Sequence, residues 1–147
     1  MNGTNSTINQ MVLTFKLISE AHAQINDFYA GQISDTNALP HQYPLLWLDL
    51  VDLTEYELYT DYVWRVAIFD TLLPDNSNEW EIRSDSRRII KDTLLILRDS
   101  FDLQVGWGKA KENPVMEYLN DNLTGMFMDV TISIPDDTAL DQVPLKC

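Results

Sequence analysis

Residues 76–101 read "NSNEWEIRSDSRRIIKDTLLILRDSF", and their reading decides the fold. Half of the chain's ten basic residues sit here: Arg83, Arg87, Arg88, Lys91 and Arg98. Glu81, Asp85, Asp92 and Asp99 are interspersed among them. Asn76 is a favourable N-cap and Glu79 stands three residues on, as a capping box requires. The segment is therefore predicted helical to about Ser100. At 100° per residue, Ile82, Ile89, Ile90, Thr93, Ile96 and Leu97 fall in one arc of about 120°. Trp80, Arg87, Lys91 and Arg98 form a second stripe, with Arg83 at its border. Glu81, Asp85, Asp92 and Asp99 form a third, with Arg88 beside them. An enzyme site needs acids and bases converging in a concavity. Charges sorted along a convex helix do not converge, so the stripes are either a solvated face or contacts to two unlike surfaces. Trp80, Arg87, Lys91 and Arg98, and opposite them Glu81, Asp85 and Asp92, are the candidate interface residues.

The flanking sequence supplies strands. In "LYTDYVWRVAIFDTL" (58–72), Tyr62, Trp64, Val66 and Ile68 alternate with Val63, Ala67 and Phe69. Apolar residues on both faces predict a central strand. "YPLLWLDLV" (43–51) reads as a strand, followed by a polar connection "DLTEYE". In "LTGMFMDVTISIP" (123–135), Met126, Met128, Val130, Ile132 and Ile134 alternate with Phe127, Asp129, Thr131 and Ser133, giving one buried and one wetter face. This arm is predicted to pair with "VMEYL" (115–119) around Asn120–Asn122. Short strands are expected at 25–29 and 103–107, and loops in "GQISDTNALPHQ" (31–42) and "GKAKENP" (108–114). Residues 6–24 place Ile8, Met11, Val12, Phe15, Ile18 and Ala21 at helical spacing. The expected fold is α+β: an antiparallel sheet with two main helices packed on one face. It forms a single domain over residues 1–135, with 136–147 as an arm or disordered tail.

Composition narrows the function. The chain has 147 residues, a formal charge of −13 and 45% apolar residues. One core fits that length. Ten basic residues against 23 acids cannot build a phosphate-gripping surface. The lone Cys147 excludes an internal disulfide, and His22 and His41 lie far apart, which argues against a metal centre. The sequence has no Gly-rich phosphate loop, no Gly-x-Ser-x-Gly elbow and no Cys/His pair. Neither an enzyme nor a cofactor is expected. The N-terminus lacks a signal-peptide pattern, and no run approaches the ~18 apolar residues of a membrane span. A soluble protein made in the cytoplasm is expected, with no membrane association.

Three blocks carry a resemblance: "YPLLWLDL" (43–50), "VAIFDTLLPDNSNEWEIRSDSRRIIKDTLLILRD" (66–99) and "GMFMDVTISIP" (125–135). In order they give Tyr43-Pro44-Leu45, Phe69-Asp70, Ser77-Asn78-Glu79, Ser84-Asp85, Lys91-Asp92 and Gly125. This resembles the tail-terminator, tail-completion and neck-ring proteins of tailed bacteriophages, including ring proteins of crAss-like phages. Met126 departs from the pattern, which has an aromatic after the glycine; Phe127 follows one residue later. The resemblance implies a virion structural protein of the neck or tail, made in the host cytoplasm. It implies a homo-oligomeric head-to-tail ring that contacts other neck and tail proteins, with DNA passing through the lumen without specific binding. No catalytic residue carries over.

An acidic lumen would let DNA slide. Asp52, Glu55 and Glu57, in the connection after the strand at 43–51, are the candidate channel-facing acids. The alternative is a small intracellular adaptor that binds one protein partner and forms no ring.

Overall fold

In a computed structural model the described residues are 8–31, 42–75, 77–101, 103–112 and 123–135, with the backbone alone at 107–112. The elements run α1 (Ile8–Ala21), β1 (Asp27–Ala30), β2 (Leu45–Glu55), β3 (Tyr59–Thr71), α2 (Glu79–Asp99), β4 (Gln104–Glu112) and β5 (Leu123–Pro135). All five strands form one sheet in the order β1-β2-β3-β5-β4. The fold is α+β and the sheet mostly antiparallel. The exception to the expected antiparallel sheet is β1, which pairs parallel to β2, Asp27 opposite Leu45 and Ala30 opposite Leu48. A parallel neighbour needs a long return, and residues 31–44 supply one.

The central-strand reading of β3 holds. It lies between β2 and β5. Trp64, Val66 and Ile68 enter the larger apolar cluster, Ala67 and Phe69 the smaller. In β5, Met126, Met128, Val130, Ile132 and Ile134 are buried, whereas Phe127, Asp129, Thr131 and Ser133 are half-buried. The larger cluster joins Met11, Phe15 and Ile18 of α1 and Ile89, Ile90, Leu94 and Leu97 of α2 to alternate residues of β2, β3 and β5. Leu45, Trp47, Ala67, Phe69 and Leu123 make the smaller one from the intervening positions.

Helix α2 buries Ile82, Ser86, Ile89, Ile90, Thr93, Leu94 and Leu97. Ser86 falls inside the predicted arc but is not among its apolar residues, Leu94 falls outside it, and Ile96 within it is half-buried. Asn76, the expected cap, lies outside the described residues; the cap position is Asn78. Its side chain does not cap the helix. The Oδ1 of Asn78 accepts from the Leu73 N–H at 2.9 Å and its Nδ2 donates to the Thr71 carbonyl at 3.3 Å, stitching the turn from β3 into α2. In α1, Met11, Phe15 and Ile18 are buried, while Ile8 and Ala21 are exposed. Two buried polar residues are satisfied within that helix: the Thr14 hydroxyl donates to the Gln10 carbonyl and the Ser19 hydroxyl to that of Lys16.

Three strand assignments change. Strand β2 runs on to Glu55, with a register shift between Leu50 and Asp52, so Asp52 and Glu55 belong to a strand and not to a connection. Strand β4 runs through Glu112, absorbing most of the expected loop at 108–114. The partner of β5 on that side is β4, with Lys111 opposite Phe127. The expected arm at 115–119, most of the loop at 31–42 and the tail at 136–147 lie outside the described residues.

Candidate functional site

The far end of the β2–β3 hairpin departs most from an ordinary monomer surface. The Tyr56 N–H donates to the Tyr59 carbonyl at 2.8 Å, closing a tight turn that holds Glu57 and Leu58. Every residue from 51 to 59 is exposed. Five of them are large and apolar: Val51, Leu53, Tyr56, Leu58 and Tyr59. Leu58, at the turn, is 73% exposed. The rings of Tyr56 and Tyr59 stack at 4.6 Å with an interplanar angle of 19°. Exposed large apolar side chains gathered at one hairpin end mark a candidate contact site.

The three candidate channel acids share this end but not one wall. Asp52 lies opposite Val63 and Thr54 opposite Asp61, whereas Leu53 lies opposite Tyr62 and Glu55 opposite Thr60. Alternation along the strand therefore puts Asp52 and Glu55 on opposite faces of the sheet. Glu57 belongs to the turn. The Asp52 carboxylate accepts from the Leu53 N–H at 2.8 Å. Among the described residues, Glu55 and Glu57 have no ion-pair partner.

The structure separates the charge stripes of α2 into engaged and free groups. On the acidic side, the Asp92 carboxylate meets His22 Nε2, just past α1, at 3.0 Å. Arg88 donates to Gln24 at 3.1 Å and lies 3.4 Å from Asp85. That flank of α2 is tied to the end of α1, leaving Glu81 as its exposed acid with no ion pair among the described residues. Sequence reading missed the tie because His22 and Asp92 are 70 positions apart. Their residue types were the only available signal.

On the basic side, Trp80 is 72% exposed. The Arg83 guanidinium lies 5.4 Å from the centre of its ring and bonds Glu79 at 2.7 Å. Arg98 pairs with adjacent Asp99 at 2.9 Å, and that hydrogen bond holds the Asp99 carboxyl below its usual range. Arg87 and Lys91, one turn apart, are exposed and without an ion pair among the described residues. The stripe thus leaves Trp80, Arg87 and Lys91 available.

The half-buried pair between Arg65 and Asp129 is different in kind. These residues face each other across β3 and β5, bonded at 2.9 and 3.2 Å, with the guanidinium 4.8 Å from the centre of the Phe127 ring. The bond to Asp129 raises the Arg65 pKa, opposed by burial and helped by Asp129 and Asp49 charge. This is a cross-strand brace with satisfied partners.

A cleft of about 540 Å³ between α1 and β1 carries Lys16, Glu20 and Asp27 on its walls. The Asp27 carboxylate already accepts from the backbone N–H groups of Phe28 and Gln42, at 2.8 and 3.1 Å. Its oxygens therefore brace the backbone around β1. Among the described residues, no group of three or more His, Cys, Asp and Glu side chains could hold a metal ion, and no helix is long and apolar enough to cross a membrane. No protein-family model matches the chain, and no curated protein matches its sequence.

Proposed function

We propose that this chain is a non-enzymatic structural subunit of a tailed-phage virion, assembling head to tail into a ring of the neck or tail around the DNA channel. Both helices cover one face of the sheet, leaving the β2–β3 end and the outer side of α2 for neighbours. One observation carries the reading. Among the described residues, patches of unlike chemistry lie on different elements, one apolar and acidic at residues 51–59, another basic and aromatic at Trp80, Arg87 and Lys91. A head-to-tail ring joins two different patches of each subunit, whereas a two-fold dimer joins a patch to itself. An adaptor for a single partner needs only one such patch. The order of the sequence blocks resembling phage ring proteins supports the same assignment.

The net charge of −13 suits a subunit past which DNA slides, because like charge repels the phosphates. Asp52, Glu55 and Glu57 take a new role in this reading. Acids split between two faces and set among exposed tyrosine and leucine side chains suit a protein contact better than a channel wall. The test is particle composition. Purified virions of a phage encoding the chain should contain it at a fixed, ring-sized copy number, counted by quantitative peptide mass spectrometry against the portal protein. Absence from purified virions, with the protein abundant in the infected cell, would contradict the assignment.

A further inference from the structure

We propose that the β2–β3 hairpin end is a preformed receptor for basic side chains, and that its occupant is the outer stripe of α2 on a second copy of this chain. The inference rests on the ring reading and names the surfaces that meet.

The receptor is built before any partner arrives. The Tyr56–Tyr59 hydrogen bond fixes the turn, and the two rings stack 4.6 Å apart. A rigid pair of aromatic faces attracts guanidinium and ammonium groups through the ring quadrupole. Glu55 and Glu57 flank the rings in sequence, and both carboxylates lack an ion pair among the described residues. Leu58 projects beyond the turn at 73% exposure, adding an apolar contact to the polar ones. Aromatic faces, carboxylates and an apolar tip together select a surface that mixes cations with apolar area.

The chain carries such a surface. Most described arginines are already engaged: Arg65 with Asp129, Arg83 with Glu79, Arg88 with Asp85 and Arg98 with Asp99. Among the described residues Arg87 and Lys91 have no ion pair, and they share a helix face with Trp80, 72% exposed. Two cations one helical turn apart match two carboxylates on either side of Tyr56. Trp80 offers apolar area for Leu58. Because receptor and ligand are different patches, each copy can use both at once, and the contact propagates around a ring.

The contact is tested by charge exchange in the full chain. Four proteins are compared by sedimentation velocity over a wide concentration range at low salt: wild type, R87E/K91E, E55K/E57K and the combination of all four substitutions. Circular dichroism checks that each is folded, which the exposure of all four positions favours. Wild type should associate, each double reversal should weaken association at least tenfold, and the combined protein should recover most of it. L58D should weaken association without restoring charge complementarity in any background. If wild type associates and neither reversal changes it, this contact is overturned while a ring through other surfaces stands. If both reversals weaken association but the combination does not recover, the two patches do not meet each other, and the proposal fails. Wild type that stays monomeric throughout contradicts the ring reading and this contact together.

Discussion

Replacing Gly125 by alanine should destabilise the protein by about 3 kcal/mol or more, at the upper end of what overpacking costs. Gly125 pairs with Phe69 in the β3–β5 ladder, and β3 is the central strand. A Cβ built there would overlap the Ile68 carbonyl oxygen, and it would lie 2.8 Å from the carbonyl carbon and 2.9 Å from Phe69 Cδ1. The first two obstacles are backbone, held by ladders on both sides, so no side-chain rotation relieves the overlap. The need at this position is closeness of approach. Gly106, in edge strand β4, makes the control: among the described residues a Cβ there meets only Thr131 atoms, the nearest at 3.7 Å. G106A should shift stability by less than about 1 kcal/mol. Urea denaturation would measure both. An unchanged midpoint for G125A would contradict the described packing of β5 on β3.

Trp64→Ala should cost about 3–5 kcal/mol, the range for truncating a buried large aromatic. Trp64 is among the largest fully buried side chains, and its ring sits 5.9 Å from that of Phe15 in α1. It couples the first helix to the middle of the sheet, so the cavity would open between two elements that cannot close on it independently. The indole N–H of Trp64 is buried and has no hydrogen-bond partner among the described residues. An orphaned donor costs free energy that a hydrocarbon ring does not. Trp64→Phe should therefore lose less than half as much as Trp64→Ala, because part of the lost volume is offset by removing that donor. Equal losses for the two variants would mean that the N–H is satisfied in solution.

The sequence made the middle of the fold legible and left its periphery obscure. Alternation in β5 and double-sided apolarity in β3 are local signals, and each residue's neighbour along the chain reports its face. The α2 arc was readable for the same reason. Leu94 fell just outside the arc because the helix is packed over a wider angle than the most apolar residues alone indicated. Strand β4 is longer than its sequence suggests because Gly108 and the lysines at 109 and 111 look like a loop, whereas the ladder with β5 resumes at Ala110 and runs to Glu112. The parallel partner of β2 was invisible, since nothing local distinguishes parallel from antiparallel pairing in so short a strand as β1. At the candidate surface, the cation stripe of α2 is legible from helical spacing alone. The exposed hairpin end is not, because "DLTEYE" reads as a polar connection until the register with Thr60–Val63 extends β2 to Glu55. The tie from His22 to Asp92 likewise needed the two helices side by side.

The central claim is that identical subunits close head to tail. Native mass spectrometry of the purified full-length chain, at tens of micromolar and low salt, tests it most directly. A closed ring gives one dominant species containing a single fixed number of copies greater than two, without a ladder of growing sizes. A monomer or a two-fold dimer as the sole species would contradict it.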